Sequence, residues 1–295
     1  MRCHMSILPL DPHPRRRVPV LDSGMSYVDT GVGTPVVFLH GNPTSSFLWR
    51  NIIAEVKPAA RCLAPDLIGM GRSGRAPSGS YRFVEHARYL DAWFDAIGIR
   101  EDIILVGHDW GSALAFHWAN RHRDRIAGLV YMEAIVQSLT WEQWPDAATR
   151  VFQGFRSDSG ESMVLDNNVF VERVLPGSII RDLTEQEMAV YREPFLEPGE
   201  SRRPTLTWPR EIPLGGQPED VVQIVDDYSA WLSGSDVPKL FINADPGAIL
   251  TGTQRDYCRT WHNQREVTVK GVHFIQEDSP DEIGQSIVQW LGDIE

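Results

Sequence analysis

The sequence predicts an α/β protein with a mostly parallel central sheet flanked by helices and a helical insertion in mid-chain. Three observations predict it. Short apolar, β-rich runs alternate with segments apolar at helical spacing between Val36 and Tyr131, and again between Lys239 and Leu291. That alternation suits a parallel sheet covered on both faces. From about Ser138 to Gly216 the alternation lapses into a Trp-, Phe-, Pro- and Arg-rich stretch with short helical pieces and no convincing strand. Finally, Ile104-Leu105-Val106 runs into Gly107-His108-Asp109-Trp110-Gly111, after which small and apolar residues resume at helical spacing. This is the outline of a strand, a sharp turn and a helix.

The elements follow in order. Val36–Leu39 reads as a buried strand, with a helix near Ser46–Val56 and a second strand at Arg61–Pro65. Phe83–Ile97 is a helix whose apolar stripe is Tyr89, Leu90, Trp93, Phe94 and Ile97. Ile103–Val106 is the strand before the sharp turn, Ser112–Arg121 the helix after it, and Ala127–Tyr131 the next strand. Beyond the insertion, Lys239–Ile242 and Glu266–Val269 restore the strand pattern. Ser279-Pro280-Asp281-Glu282 opens a last helix, to Leu291, with capping-box spacing and proline at its first position. The expected division is a core of residues 1–137 and 217–295 with a helical cap of residues 138–216, placed as a lid.

Composition narrows the function. The chain has 295 residues, 42% hydrophobic and 23% charged, the proportions of an ordinary globular protein. A net charge of −12 argues against nucleic acid and anionic membranes as partners, since both need basic patches. No segment reaches the roughly 18 apolar residues that span a bilayer. The first twenty residues lack a signal-peptide core, and Cys3, Cys62 and Cys258 are odd in number and far apart. A cytoplasmic protein with free thiols and a frayed first dozen residues is expected.

The turn at Asp109 carries the chemistry. A nucleophile on a tight strand-to-helix turn needs small neighbours, here Gly107 and Gly111. Esterases place serine at this point. A carboxylate there can instead displace a leaving group from a saturated carbon, forming an ester that activated water then hydrolyses. The bland alternative is that Asp109 caps the following helix.

Activating water needs a base, and His273 in Gly271-Val-His-Phe274 lies after the last strand, where open α/β sheets gather catalytic groups. Two acids compete to hold its imidazole. Glu133, between Met132 and Ala134, sits in apolar company where a carboxylate needs a partner. Asp245, beside Pro246, looks like a turn residue. Asn42 and Trp110 offer side-chain N–H donors for a departing anion.

Two tempting patterns lead nowhere. Gly69-Met-Gly71-Arg-Ser-Gly74 matches a dinucleotide fingerprint, but Arg75-Ala-Pro-Ser-Gly follows where a helix should open. His108, His117 and His122 lack metal-ligand spacing and read as packing and surface residues. No metal and no organic cofactor is expected.

Together these residues resemble the haloalkane dehalogenases of the α/β-hydrolase superfamily, over nearly the whole chain from Pro19 to Leu291. The stretches that carry the resemblance are His40-Gly-Asn-Pro-Thr-Ser-Ser46, Pro65-Asp-Leu-Ile-Gly69, Gly107-His-Asp-Trp-Gly111, Met132-Glu-Ala134, Phe170-Val-Glu-Arg-Val-Leu-Pro176 and His273-Phe-Ile-Gln-Glu-Asp278. The resemblance implies Asp109 as nucleophile, His273 as base, Glu133 as acid, and Asn42 with Trp110 as the halide pair. It also implies a pocket walled by Trp144, Phe152, Phe155, Phe170 and Trp208, with Leu214 and Leu250 near. The implied partners are a small apolar halogenated substrate and a halide ion, and the implied assembly is a monomer or weak homo-oligomer. An epoxide hydrolase is the rival enzyme, although that family uses two cap tyrosines and residues 138–216 hold only Tyr191. A luciferase-like or ligand-sensing protein on the same scaffold is a further alternative.

Overall fold

The computed structural model describes residues 7–294. Among them, eight strands form one sheet in the order β1-β2-β4-β3-β5-β6-β7-β8. The strands are β1 (Arg15–Val20), β2 (Ser23–Thr30), β3 (Pro35–Leu39), β4 (Arg61–Pro65), β5 (Ile103–Asp109), β6 (Ile126–Ala134), β7 (Lys239–Pro246) and β8 (Gln264–Gly271). β1, β2 and β4 pair antiparallel, and every pairing from β4 through β3 to β8 is parallel.

Period-two alternation builds two cores from single strands. Val37, Leu39 and Leu105 face one side, beneath helix α2 (Phe83–Ile97), helix α3 (Trp110–Arg121) and the helix Glu219–Gly234. Val36, Phe38, Ile104 and Val106 face the other, beneath helix α1 (Arg50–Val56) and the C-terminal helix Pro280–Ile294. Every residue of β5 is buried, as a strand covered on both faces requires. α2 has the expected bounds and ends on Gly98 at φ 72°, the left-handed conformation that stops helices.

Between β6 and β7 the described residues form helices only, apart from isolated bridges that Leu214 makes with Leu139 and Gln217. Helix α4 (Asp146–Arg156) begins this stretch, and π-helical turns at Ser162–Asp166 and Phe170–Val174 follow.

Several expectations need correction. β1 and β2 were not anticipated, because RRRVPV and SGMSYVDT carry too little apolar alternation to announce strands. The helices Glu219–Gly234 and Gly252–Cys258 were missed as well. Asp245 and Pro246 continue β7 in register with Lys270 and Gly271, so the expected turn starts later. The start of the chain is tied down from Leu8 onward: its N–H donates to Asn51 Oδ1 at 2.8 Å, and its carbonyl accepts from Arg50 Nε at 2.5 Å. The rest of the stretch expected to fray, residues 1–6 with Cys3, lies outside the described residues. No described helix is long and apolar enough to cross a membrane.

Candidate active site

The parallel strands deliver their carboxyl ends to one edge, and the expected residues gather there. Asp109 closes β5 with φ 51°, a backbone strained for any residue with a side chain. The crowding explains its flanks. A Cβ on Gly111 would lie 2.0 Å from the Leu39 carbonyl oxygen, and one on Gly107 would lie 2.5 Å from Ser112 Cα. Within this turn Asp109 Oδ2 accepts from the Asn42 backbone N–H at 2.9 Å, and Trp110 donates a second backbone N–H to the carboxylate.

His273 follows β8. Its Nε2 stands 4.0 Å from Asp109 Oδ1, and its Nδ1 is 3.1 Å from Glu133 Oε2. Glu133 reaches it through a break in register. His108 pairs with Met132 but Asp109 pairs with Ala134, so Glu133 is the extra residue of a bulge and has φ 42°. Bulges re-aim side chains, and this one turns a carboxylate toward the imidazole. Glu133 Oε2 also accepts from Ala248 N at 3.0 Å and Ile249 N at 2.8 Å. Its Oε1 is buried without a partner among the described residues. Asp245, the competing acid, is exposed at the end of its strand.

Electrostatics follow from burial and neighbours. Burial pushes the Asp109 carboxyl above its ordinary value, against the opposing pull of His273 and the backbone donors. Burial alone would lower His273. The Glu133 hydrogen bond and the charges of Asp109 and Glu133 outweigh it and hold the imidazole above its ordinary value. A raised histidine between two carboxylates is a base that, once protonated, stays stabilised.

Asn42 and Trp110 both line the cavity beside Asp109. Asn42 Nδ2 donates one hydrogen to Thr205 O at 3.2 Å, which fixes the amide and leaves its second hydrogen. The cavity measures about 420 Å³. Trp144, Phe152 and Phe170 line it as expected, but Phe155, Trp208, Leu214 and Leu250 do not. Phe155 stacks behind Phe170 at 5.1 Å. Trp208 stacks on Trp110 at 4.7 Å, with its indole N–H toward Met70 Sδ. Leu214 and Leu250 are buried, Leu214 in the bridge to Leu139. Smaller groups take those places, notably Val151, Ile212, Ala248 and Ile249.

Comparison with known proteins places the chain in a family. The alpha/beta hydrolase fold family matches residues 34–280. A haloalkane dehalogenase of Sphingobium indicum is 57% identical over 270 residues, covering 90% of this chain and 91% of that protein. The chain belongs to the haloalkane dehalogenases. The crystal structure of the haloalkane dehalogenase DbeA from Bradyrhizobium elkani superposes with a TM-score of 0.92 at 46% identity, covering 95% of this chain and 98% of that one. Another relative is named for a different activity: a coelenterazine h 2-monooxygenase of Renilla reniformis, 49% identical over 286 residues, covering 94% of this chain and 90% of that protein.

Sequence reasoning missed the parts of this dehalogenase that act through the backbone. The donors at Ala248, Ile249 and Asn42 N carry no side-chain signature. His108, expected only to pack, is buried, and its Nε2–H donates to the His273 carbonyl at 2.9 Å. Ser178 O accepts the N–H groups of His273 and Phe274 at 3.1 and 3.2 Å, joining the helical stretch to the histidine loop. The glycine-rich stretch Gly69–Gly74 opens no helix: Arg72 N and Ser46 N bind the Asp66 carboxylate beside it. No cluster of three or more His, Cys, Asp or Glu among the described residues could hold a metal ion.

Proposed function

We propose that Asp109, His273 and Glu133 carry out the hydrolysis of haloalkanes to alcohol, halide and a proton. As a haloalkane dehalogenase the protein is a hydrolase acting on carbon–halide bonds. The observation that carries the residue assignment is the asymmetry of the Asp109 carboxylate. Oδ2 accepts the Asn42 backbone N–H at 2.9 Å, while Oδ1 faces His273 from 4.0 Å.

Oδ1 attacks the carbon bearing the halogen. The new C–O bond forms as the carbon–halogen bond breaks, and the halide departs with the bonding pair toward Asn42 and Trp110. In the ester that results, Oδ2 is the carbonyl oxygen and already accepts from the Asn42 backbone N–H. His273 takes a proton from water, and the hydroxide adds to Cγ of Asp109. The negative charge that develops on Oδ2 is stabilised by the Asn42 backbone N–H already in place there, with no reorganisation. Collapse expels Oδ1 with the alkyl group, the imidazolium returns its proton to that oxygen to give the alcohol, and the carboxyl left on Asp109 loses its proton to solvent, while Glu133 balances the imidazolium in between. The helical stretch of residues 138–216 serves as the lid that keeps this chemistry dry.

The epoxide reading needs cap hydroxyls to protonate the substrate oxygen. Tyr191 is buried and spends its hydroxyl on Glu277, away from the cavity. The test is bromide release from 1-bromobutane in the presence of EDTA, with styrene oxide and coelenterazine offered separately. Bromide release with neither epoxide turnover nor light emission is expected. Turnover of styrene oxide without bromide release refutes the assignment.

A further inference from the structure

Outside the reacting groups the cavity wall is apolar except for Arg173 and Ser178, and Arg173 alone of these two is charged. Its ionisable lining residues are Asp109, His273 and Arg173. Phe170, Arg173, Val174 and Gly177 line it at intervals of three, four and seven residues, which is one face of a helical path. Exposure changes along that face: Phe170 is buried, Val174 half-buried, and Arg173 and Gly177 exposed. The stripe therefore climbs from the inner wall to solvent over roughly 10 Å. Arg173 stands at the mouth, and it also borders a surface depression with Ser162, Asn167 and Glu172.

Its charge is uncommitted. The adjacent Glu172 is engaged by Arg192 Nε at 2.9 and 3.0 Å. Arg173 has no ion pair or hydrogen bond among the described residues, on a chain whose net charge is −12. A lone guanidinium at the opening of an apolar channel is placed to meet an anion that remains in water while an apolar chain enters.

We infer that Arg173 selects haloalkanes whose far end is anionic, the ω-halocarboxylates being the simplest class. This rests on the haloalkane reading and adds a substrate class to it. The halogen end descends past Phe170 to Asp109, and the carboxylate stays at the mouth against Arg173. Neither charge is buried, so there is no large desolvation cost to offset. By the same token the preference is small. Exposed pairs support a change of about two- to fivefold, and salt screens it over about 10 Å at 0.1 M.

The experiment compares kcat/KM for 6-bromohexanoate, 6-bromohexan-1-ol and (6-bromohexyl)trimethylammonium. The proteins are the parent, Arg173→Gln, Arg173→Lys and Arg173→Glu, each at low and high ionic strength. Ratios taken within one variant cancel any general effect of the substitution. The parent is expected to prefer the carboxylate over the ammonium substrate. Arg173→Gln should cut that ratio about two- to fivefold, Arg173→Lys keep it, and Arg173→Glu invert it, with every difference shrinking in high salt. An unchanged ratio in Arg173→Gln overturns the inference, as does a change that survives high salt. If the parent leaves the neutral bromohexanol untouched, the haloalkane reading itself fails.

Discussion

Replacing Glu133 with glutamine removes one charge while leaving the shape of the site intact. Oε2 is the oxygen that accepts from Ala248 N, Ile249 N and His273 Nδ1, and Oε1 has no partner. A glutamine keeps all three bonds by setting its carbonyl at the Oε2 position and its amide nitrogen at the vacant one. What disappears is the attraction between the carboxylate and the imidazolium that forms when water gives up its proton. Two unit charges about 4 Å apart interact by about 4 kcal/mol at an effective permittivity near 20. With part of that recovered by the surviving hydrogen bond, ester hydrolysis should slow about 10²- to 10³-fold. Alkylation needs no proton transfer and should change less than about tenfold. Single-turnover quench experiments, with intact-mass detection of the alkyl-enzyme, separate the steps. The reasoning is refuted if the ester on Glu133→Gln hydrolyses at the parental rate. It is equally refuted if Asp245→Asn, expected to stay within about a few-fold of the parent, accumulates the ester instead.

His273→Phe should still be alkylated and then stop, so its intact mass should rise by the alkyl group; an unmodified protein after long exposure to a good substrate contradicts the role of the base. Trp110→Phe keeps the ring that stacks on Trp208 but loses the N–H. It should weaken bromide binding, read by fluorescence titration, and slow displacement by up to about 10²- to 10³-fold; unchanged turnover reduces Trp110 to packing. The pH dependence also divides by step. His273 stands above its ordinary value in the free enzyme partly through the charge of Asp109. The ester abolishes that charge, so the imidazole of the alkyl-enzyme titrates lower. Activity needs the neutral base and is lost as pH falls through the pKa. The acid limb of ester hydrolysis, followed as decay of the alkyl-enzyme, should therefore lie at lower pH than the titration of His273 followed by NMR in the free enzyme, and coincident values contradict the electrostatic account.

The legible parts of this protein were those whose residue types are forced by local physics. β5 must be apolar throughout because both its faces are buried, and the turn after it must be flanked by glycine because Leu39 O and Ser112 Cα leave no room for a side chain. The glycine-flanked turn at Asp109, the place of His273 after β8 and the apolar setting of Glu133 could be read in the same way. β1 could not, because it is an edge strand whose arginines find partners elsewhere, Arg15 with Asp11 and Asp66. The cavity wall was half legible. An aromatic in a helical stretch is equally suited to facing substrate or to backing the residue that does, and Phe155 and Trp208 took the second place. Backbone donors were illegible in principle, since every residue but proline carries one.

The bulge at Glu133 has a counterpart across the sheet. A Cβ built on Gly247, just past β7, would lie 3.1 Å from Glu133 Oε1. The ends of β6 and β7 thus open onto a single seat beside the histidine, and it holds one carboxylate at a time. A chain that lost the extra residue in β6 could fill the seat from β7, provided the newcomer tolerated the left-handed backbone at that glycine, φ 77°. Aspartate is among the few side chains that do. Divergence on this scaffold can therefore move the acid between strands without disturbing nucleophile or base. Two descendants aligned column by column would then seem to disagree about their machinery while sharing it in space.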